Sequence, residues 1–344
     1  MKKVLLGMSG GIDSTASAVL LKENGYIVTG LTFVTDYVSG DAVIKAKEIC
    51  DKLKIEHISF NITEQFKKEV VDCFISEYEK GRTPNPCINC NRYIKFGAIY
   101  DYAMNHGFDY VATGHYAIIE ACQDRMFLKS PIDLKKDQTY FLYVLKEDQL
   151  KQILFPLGQK TKKEARDICE KNHLLPKESK ESQEICFIKD DYKQFLTEHD
   201  AKNMPGNFVY ENNVVIKPHD GIINYTIGQR KGMNLAIGKP AFVKEINPLN
   251  GDVVITDNDK LYSNKVTAGN ISLINNFIPQ NTAIYAKIRY GAKKSKVTVK
   301  MNNDSLDIYF HEMQRAVTRG QSVVLYTDDH VIGGAIIEKG EIIE

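Results

Sequence analysis

Apolar residues in the first two hundred positions fall into short unbroken runs that alternate with segments of helical period. Val4-Leu5-Leu6-Gly7-Met8 and Ile27 to Phe33 are bounded by turn residues and predict buried strands. Between them, Ala16-Ser17-Ala18-Val19-Leu20-Leu21 predicts a helix ending near Asn24-Gly25. Helix 42–54, strand 55–60, helix 63–79 and helix 93–105 are expected next, then a strand through Asp109-Tyr110-Val111-Ala112-Thr113-Gly114-His115. This alternation predicts an α/β fold with a doubly wound, mostly parallel sheet. Thr161 and Glu164 form a capping box that opens a helix over 162–172, and helix 190–198 is expected to follow.

Beyond about residue 204 the helical period disappears and short β runs alternate with turn pairs. Phe208-Val209-Tyr210 faces Val214-Val215-Ile216 around Asn212-Asn213, and 242–246 faces 253–256 around Asn250-Gly251. Strands are expected again at 266–273, 283–290, 296–301, 306–310, 322–327 and 331–337. The expected division is a catalytic α/β unit at 1–203, a β-rich connector at 204–264 and a C-terminal β-barrel at 265–344.

The 344 residues are 43% hydrophobic and 26% charged, with a net charge of +1, so there is no global attraction to nucleic acid. An RNA partner would be held by local basic patches such as Lys160-Lys162-Lys163 and Lys293-Lys294-Lys296, each of which reads equally as a solvated face. No apolar run approaches membrane-spanning length and no signal cleavage site follows the start, so a cytoplasmic protein without membrane contact is expected. Seven unevenly spaced cysteines do not form a secreted disulfide framework.

The candidate chemistry begins at Ser9-Gly10-Gly11-Ile12-Asp13-Ser14, a glycine turn between the first strand and the first helix. Adjacent glycines let backbone N–H groups face a phosphate, Ser9 and Ser14 add hydroxyls, and the helix contributes the positive end of its dipole. A carboxylate beside a phosphate site repels its ligand unless a divalent cation intervenes, which makes Asp13 a candidate magnesium ligand. Phe33 ends its strand where it would line an adenine pocket or pack in the core, and His115 would contact phosphate, act as an acid or serve structure.

The helical pattern breaks at Gly81-Arg82-Thr83-Pro84-Asn85-Pro86-Cys87-Ile88-Asn89-Cys90-Asn91, where two nearby prolines predict a stiff exposed loop. Its CxxC pair is a candidate for metal, cluster or redox chemistry. A third cysteine of interest, Cys186, lies in Glu181-Ser182-Gln183-Glu184-Ile185-Cys186-Phe187-Ile188. Cys50, Cys73, Cys122 and Cys169 are assigned to packing.

The glycine turn resembles the SGGxDS pyrophosphate loop of the N-type ATP pyrophosphatases. Further motifs follow in a fixed order: Gly81 to Pro86, Cys90-Asn91, Ala112-Thr113-Gly114-His115-Tyr116, Lys136-Asp137-Gln138, Ile185 to Ile188, Gly228-Gln229-Arg230-Lys231-Gly232 and Gly333-Gly334. With the loop they resemble the tRNA-specific 2-thiouridylases (MnmA/TrmU type) from residue 3 to about 338, which implies an adenine nucleotide α-hydrolase-like catalytic unit. The resemblance implies ATP at Gly7, Met8, Ser9, Gly10, Gly11, Ile12, Asp13, Ser14, Phe33 and Gly114. It implies the target uridine at Asn85, Pro86 and Cys87, and tRNA contacts at Lys136, Asp137, Gln138, Arg289 and Tyr290. Cys90 matches the family's nucleophile and Cys186 its persulfide-bearing cysteine.

The implied reaction is ATP-dependent 2-thiolation of uridine 34 in the anticodon stem-loop of tRNAs for Lys, Glu and Gln. Sulfur would arrive from a donor such as a cysteine desulfurase or sulfur-relay protein. Many members carry Asp where this chain has Cys87, so two sulfur schemes stay open. Cys186 carries a persulfide, or Cys87, Cys90 and Cys186 hold a [4Fe–4S] cluster. In either scheme the thiols would need a pKa lowered by a cation or a helix N-terminus. Two other classes fit parts of the pattern: a pyrophosphate-forming enzyme of small-molecule amidation, and a non-catalytic RNA-binding iron–sulfur protein.

Overall fold

The computed structural model describes residues 1–37, 40–175, 185–188 and 191–343. Strands β1 (Lys3–Gly7), β2 (Ile27–Val34), β3 (Glu56–Asn61) and β4 (Tyr110–Ala112) pair in parallel. The chain then forms β5 (Ile118–Cys122), β6 (Arg125–Lys129) and a two-residue strand β7 (Ile153–Leu154) that joins β4. The sheet order β3-β2-β1-β4-β7 reverses direction at β1. The turn leaving β1 therefore sits at the sheet's switch point, where open α/β sheets bind ligands. Helix α1 (Ile12–Glu23) starts there, and small residues Ala16, Ser17 and Ala18, fully buried, let it lie close to the sheet.

One expectation is corrected. The double-proline segment is a loop only as far as Asn85, because a helix begins at Pro86 and carries both Cys87 and Cys90. Proline is tolerated at the first helical position, where its missing N–H would have had no partner. Asn85 caps this helix, its side-chain oxygen accepting the Cys87 N–H at 3.2 Å. The helix continues as a wider π-type stretch over Cys90–Ala98 before Ile99–Asn105. The helix expected over 63–79 likewise contains a π-type stretch, Lys67–Asp72. The β5–β6 hairpin lies where no element was expected, since it has no sequence signal. Its turn is Gln123-Asp124, both at positive φ, in place of the usual Asn or Gly.

After residue 204 the expected strands form. Gly206–Tyr210 pairs antiparallel with Val215–His219, Phe242–Ile246 pairs antiparallel with Val253–Thr256, and the two hairpins join through a parallel ladder. The C-terminal strands close into a barrel because Tyr262–Leu273 pairs with both Ser305–Arg315 and His330–Glu341. The β5–β6 hairpin extends that sheet from His330 and Val331, so the N-terminal α/β part of the chain and the barrel share a ladder. The loop before Asn85 is also tied to its neighbours. Thr83 N–H donates to Arg319 O at 2.8 Å, Gln321 donates to Thr83 O at 2.7 Å, and the Thr83 hydroxyl meets that of Thr226 at 3.2 Å. The Gly228-to-Gly232 motif also serves docking, since a Cβ on Gly228 would stand 2.6 Å from Ala316 Cβ. Among the described residues no helix is long and apolar enough to cross a membrane.

Candidate active site

The loop after β1 is built for an anion. Gly10 has φ +73°, and a Cβ there would lie 2.7 Å from Lys45 Cβ, so conformation and space both require glycine. Gly11 precedes α1 without a side-chain cap, which leaves the helix's first N–H groups facing the space above the loop. Ser14 Oγ meets Ser9 Oγ at 3.2 Å and donates to Gly11 O at 3.1 Å, so the hydroxyls tighten the turn. Met8 and Ile12 are buried in the core, and the Met8 N–H is spent on Leu31 O at 2.8 Å. Gly7 ends β1. Gly114 presses on the loop from β4, where a Cβ would come within 2.9 Å of the Asp13 carbonyl carbon. Phe33 stacks on Phe66 at 6.2 Å, which puts one face of the ring in the core.

Asp13 is engaged by two residues that sequence reading did not associate with it. Lys162 Nζ lies 2.8 Å from each carboxylate oxygen, and Tyr116 Oη donates to Oδ1 at 2.9 Å. Lys162 is thus part of the loop site, which corrects its reading as an RNA-facing or solvated lysine. Its helix, Lys162–Lys171, opens with the expected Thr161–Glu164 capping box and packs along α1, with Cys169 donating to Ile12 O at 3.5 Å. Tyr116 is positioned by Gln138, whose side chain accepts the Tyr116 N–H at 2.9 Å and whose own N–H donates to Tyr116 O at 3.2 Å.

The residue after Gly114 joins the loop to the cysteines. His115 is buried and its pKa is held well below the ordinary imidazole value, by burial first and by the Lys95 ammonium second. A neutral ring accepts from Lys95 through Nε2 at 3.4 Å and donates from Nδ1 to Thr113 Oγ1 at 2.7 Å. This arrangement is structural and does not suit His115 to proton donation. Lys95 in turn lowers the thiol pKa of Cys87, Cys90 and Cys186, so one ammonium faces all three sulfurs. The π-type winding puts it there. Residues five apart in an α-helix point about 140° from each other, whereas an i→i+5 turn returns Lys95 to the side of Cys90.

Cys186 is delivered by its neighbour. Phe187 is buried against Phe66, Phe74 and Phe195 with ring centroids 5.8, 5.6 and 5.2 Å away, and Cys186 is left facing the crevice. Glu181 to Glu184 lie outside the described residues. Cys186 and Cys87 each raise the Cys90 pKa, which marks the three sulfurs as neighbours. The lowered thiol pKa expected for this chemistry is not found. Burial raises all three, Cys90 to about 12, and the single Lys95 charge only partly offsets it. Cys87 and Cys186 keep exposed surface although protein hems in their sulfurs. Of the cysteines assigned to packing, Cys50 and Cys169 are buried and Cys73 is half-buried, but Cys122 is exposed at the β5–β6 turn.

The predicted RNA contacts gather beside the crevice. Tyr290 is 40% exposed and lies 4.5 Å from the Phe141 ring, while Asn91 of the cysteine helix donates to Phe141 O at 3.0 Å. Arg289 donates to Arg315 O at 3.2 Å. Lys136 ends a short helical turn, and Asp137 and Gln138 act as internal braces. Asp137 accepts from Thr139 N–H at 2.9 Å, Thr139 Oγ1 at 2.6 Å and Ser130 Oγ at 3.0 Å. Among the described residues no three His, Cys, Asp or Glu side chains converge as a metal-binding group. A single carboxylate beside a phosphate loop does fit magnesium, which takes one or two carboxylates together with substrate phosphates.

Fold and loop define a HUP-type α/β protein with two appended β units. Residues 2–190 match a family model described as the tRNA methyl transferase HUP domain, 193–257 its PRC-barrel domain, and 263–337 an aminomethyltransferase beta-barrel domain. The full-length relatives make the assignment narrower. A protein of Clostridioides difficile named tRNA-specific 2-thiouridylase MnmA is 43% identical over 98% of each chain. Proteins of the same name from Clostridium botulinum strain Hall and Clostridium tetani are each 44% identical, over 98% of this chain and 99% of theirs. The chain belongs to the tRNA-specific 2-thiouridylase family. The domain models carry a methyltransferase name, yet a crevice with three thiols agrees with the name of the relatives.

Proposed function

We propose that the chain replaces O2 of uridine 34 in tRNAs for Lys, Glu and Gln with sulfur at the expense of ATP. One observation supports the reading: a continuous path of contacts runs from Asp13 through Gly114 and His115 to Lys95 and three thiols. The uracil C2 carbonyl is a poor electrophile, so O2 first attacks the α-phosphate of ATP, giving the O-adenylate and pyrophosphate. The loop N–H groups stabilise charge on the departing pyrophosphate, and a magnesium ion at Asp13 would add to that stabilisation. The terminal sulfur of a Cys186 persulfide then attacks C2 and AMP leaves. Cys90 thiolate attacks the Cys186 sulfur, leaving the transferred sulfur as a thiocarbonyl and forming a Cys90–Cys186 disulfide. A thiol reductant restores the pair, and a cysteine desulfurase or sulfur-relay protein reloads Cys186.

An anticodon-loop base reaches this crevice by splaying out without opening a duplex. Asn85, Pro86 and Cys87 face the base, and Lys136, Arg289 and Tyr290 meet the surrounding RNA. Mass spectrometry of uridine 34 from reactions with Cys186→Ser and Cys90→Ser tests the assignment. Both variants should give no 2-thiouridine while retaining pyrophosphate formation, and full thiolation by both would sink it. Iron content after anaerobic purification separates the cluster scheme, because stoichiometric iron in wild type that is lost in Cys87→Ala would replace the persulfide route.

A further inference from the structure

Lys162 reaches across 149 residues of sequence to chelate the Asp13 carboxylate. Its root is fixed. The Lys162 N–H donates to Asp133 Oδ2 at 3.0 Å, and the helix it opens is clamped along α1. Its side chain is about a quarter exposed (23%) and has a flexible four-carbon stem on which to move its charge. In the free protein this ammonium neutralises Asp13 at the mouth of a loop whose N–H groups also await an anion. A magnesium ion and an ammonium repel each other across one carboxylate, while a triphosphate held by the loop would offer a denser negative charge.

We infer that Lys162 is a positioning residue of the nucleotide site with two resting places, Asp13 in the free protein and the β- and γ-phosphate oxygens when nucleotide is bound. This rests on the loop binding magnesium and ATP as proposed above. In the first place Lys162 keeps Asp13 oriented, with Tyr116 on the other side of the carboxylate. In the second it adds a cation to the leaving pyrophosphate, where charge grows during adenylation. No bond is made or broken by Lys162 and no proton need move. The role is one of charge, so arginine should substitute and methionine should not.

Calorimetry on full-length wild type, Lys162→Met and Lys162→Arg, with Mn2+ alone and then with inorganic pyrophosphate in excess Mg2+, tests both halves. Lys162→Met should bind Mn2+ more tightly, because the competing cation is gone. It should bind magnesium pyrophosphate at least about tenfold more weakly, with a melting temperature near that of wild type. Lys162→Arg should bind pyrophosphate as wild type does. Unchanged affinity for both probes in Lys162→Met would overturn the inference. So would equal weakening of both together with a lowered melting temperature, the mark of a brace that merely shapes the loop. If wild type itself bound neither probe, the nucleotide reading of the loop would fall and this inference with it.

Discussion

The phosphate loop and the cysteine crevice meet at Gly114 and His115, but different forces hold them. The loop is local. A strand, two glycines and a helix start occupy residues 3–23, and the hydrogen bonds that shape the turn join residues at most five apart, while Met8, Ile12 O and Asp13 reach partners distant in sequence. The crevice is non-local, drawing on residues 87, 90, 95, 115 and 186. Its sulfurs are placed by aromatic packing and by a π-type turn, with Asn85 capping the helix start. The loop therefore stands ready for its ligand in the free protein. The crevice holds its thiols protonated by burial, awaiting the substrate that would change their surroundings.

The largest expected effect breaks the loop and spares the crevice. Gly10→Ala must place a Cβ 2.7 Å from Lys45 Cβ at a backbone φ of +73°. A strained non-glycine residue of this kind costs on the order of 1–3 kcal/mol. Displacing the N–H cradle should lower pyrophosphate formation by roughly 10²-fold. Iodoacetamide labelling of Cys90 and Cys186 should proceed at wild-type rates. If labelling fell in step with turnover, the two regions would be one cooperative unit and the contrast would be wrong.

Lys95→Met acts on the other side. In wild type the Cys90 thiol, pushed up to about 12, should alkylate faster with each pH step through 7–10. A free cysteine near 8.5 would level off within that range. Lys95 supplies the one lowering influence on Cys90, so its removal should move the profile to higher pH and slow labelling at fixed pH. ATP binding should be unaffected. A wild-type plateau near pH 8.5 would show an exposed, unperturbed thiol. Because the folded value lies above the unfolded one, burial of Cys90 adds stability below pH about 8.5. That contribution is lost as pH rises toward about 12.

The same contrast governs what the chain discloses before folding. Ser9 to Ser14 follows an apolar run and opens a helical stripe, so its conformation and its chemistry are written in neighbouring residues. The parallel sheet and the closed barrel were legible for the same reason, since their periodicities are local. The partners of Asp13 were not. Tyr116 arrives from the turn after β4 and Lys162 from a helix start, and nothing in Lys160-Lys162-Lys163 distinguishes an inward lysine from a solvated one. Lys95 was hidden for a subtler reason. At α-helical pitch it points away from Cys90, and only the π-type turn, itself a product of tertiary packing, reverses that. The β5–β6 hairpin escaped because its turn uses Gln123 and Asp124 at positive φ, where sequence rules expect Asn or Gly, and because its pairing with His330 and Val331 is non-local.

The smallest expected effect lies at the one point where the crevice depends on a local device. Asn85 caps the helix that carries Cys87 and Cys90, so Asn85→Ala removes the acceptor for the Cys87 N–H and should cost about 1 kcal/mol. Pro86 remains, so the helix should still start in place with a frayed first turn. Fraying exposes Cys87, the first-turn thiol, and leaves Cys90 buried one turn later against Ile94 and the π stretch. Differential labelling should then show Cys87 reacting a few-fold faster with Cys90 unchanged, alongside a melting temperature lower by a few degrees. Acceleration of both cysteines would mean that the cap, more than the aromatic packing, holds the crevice closed. The crevice would then be as locally built as the loop.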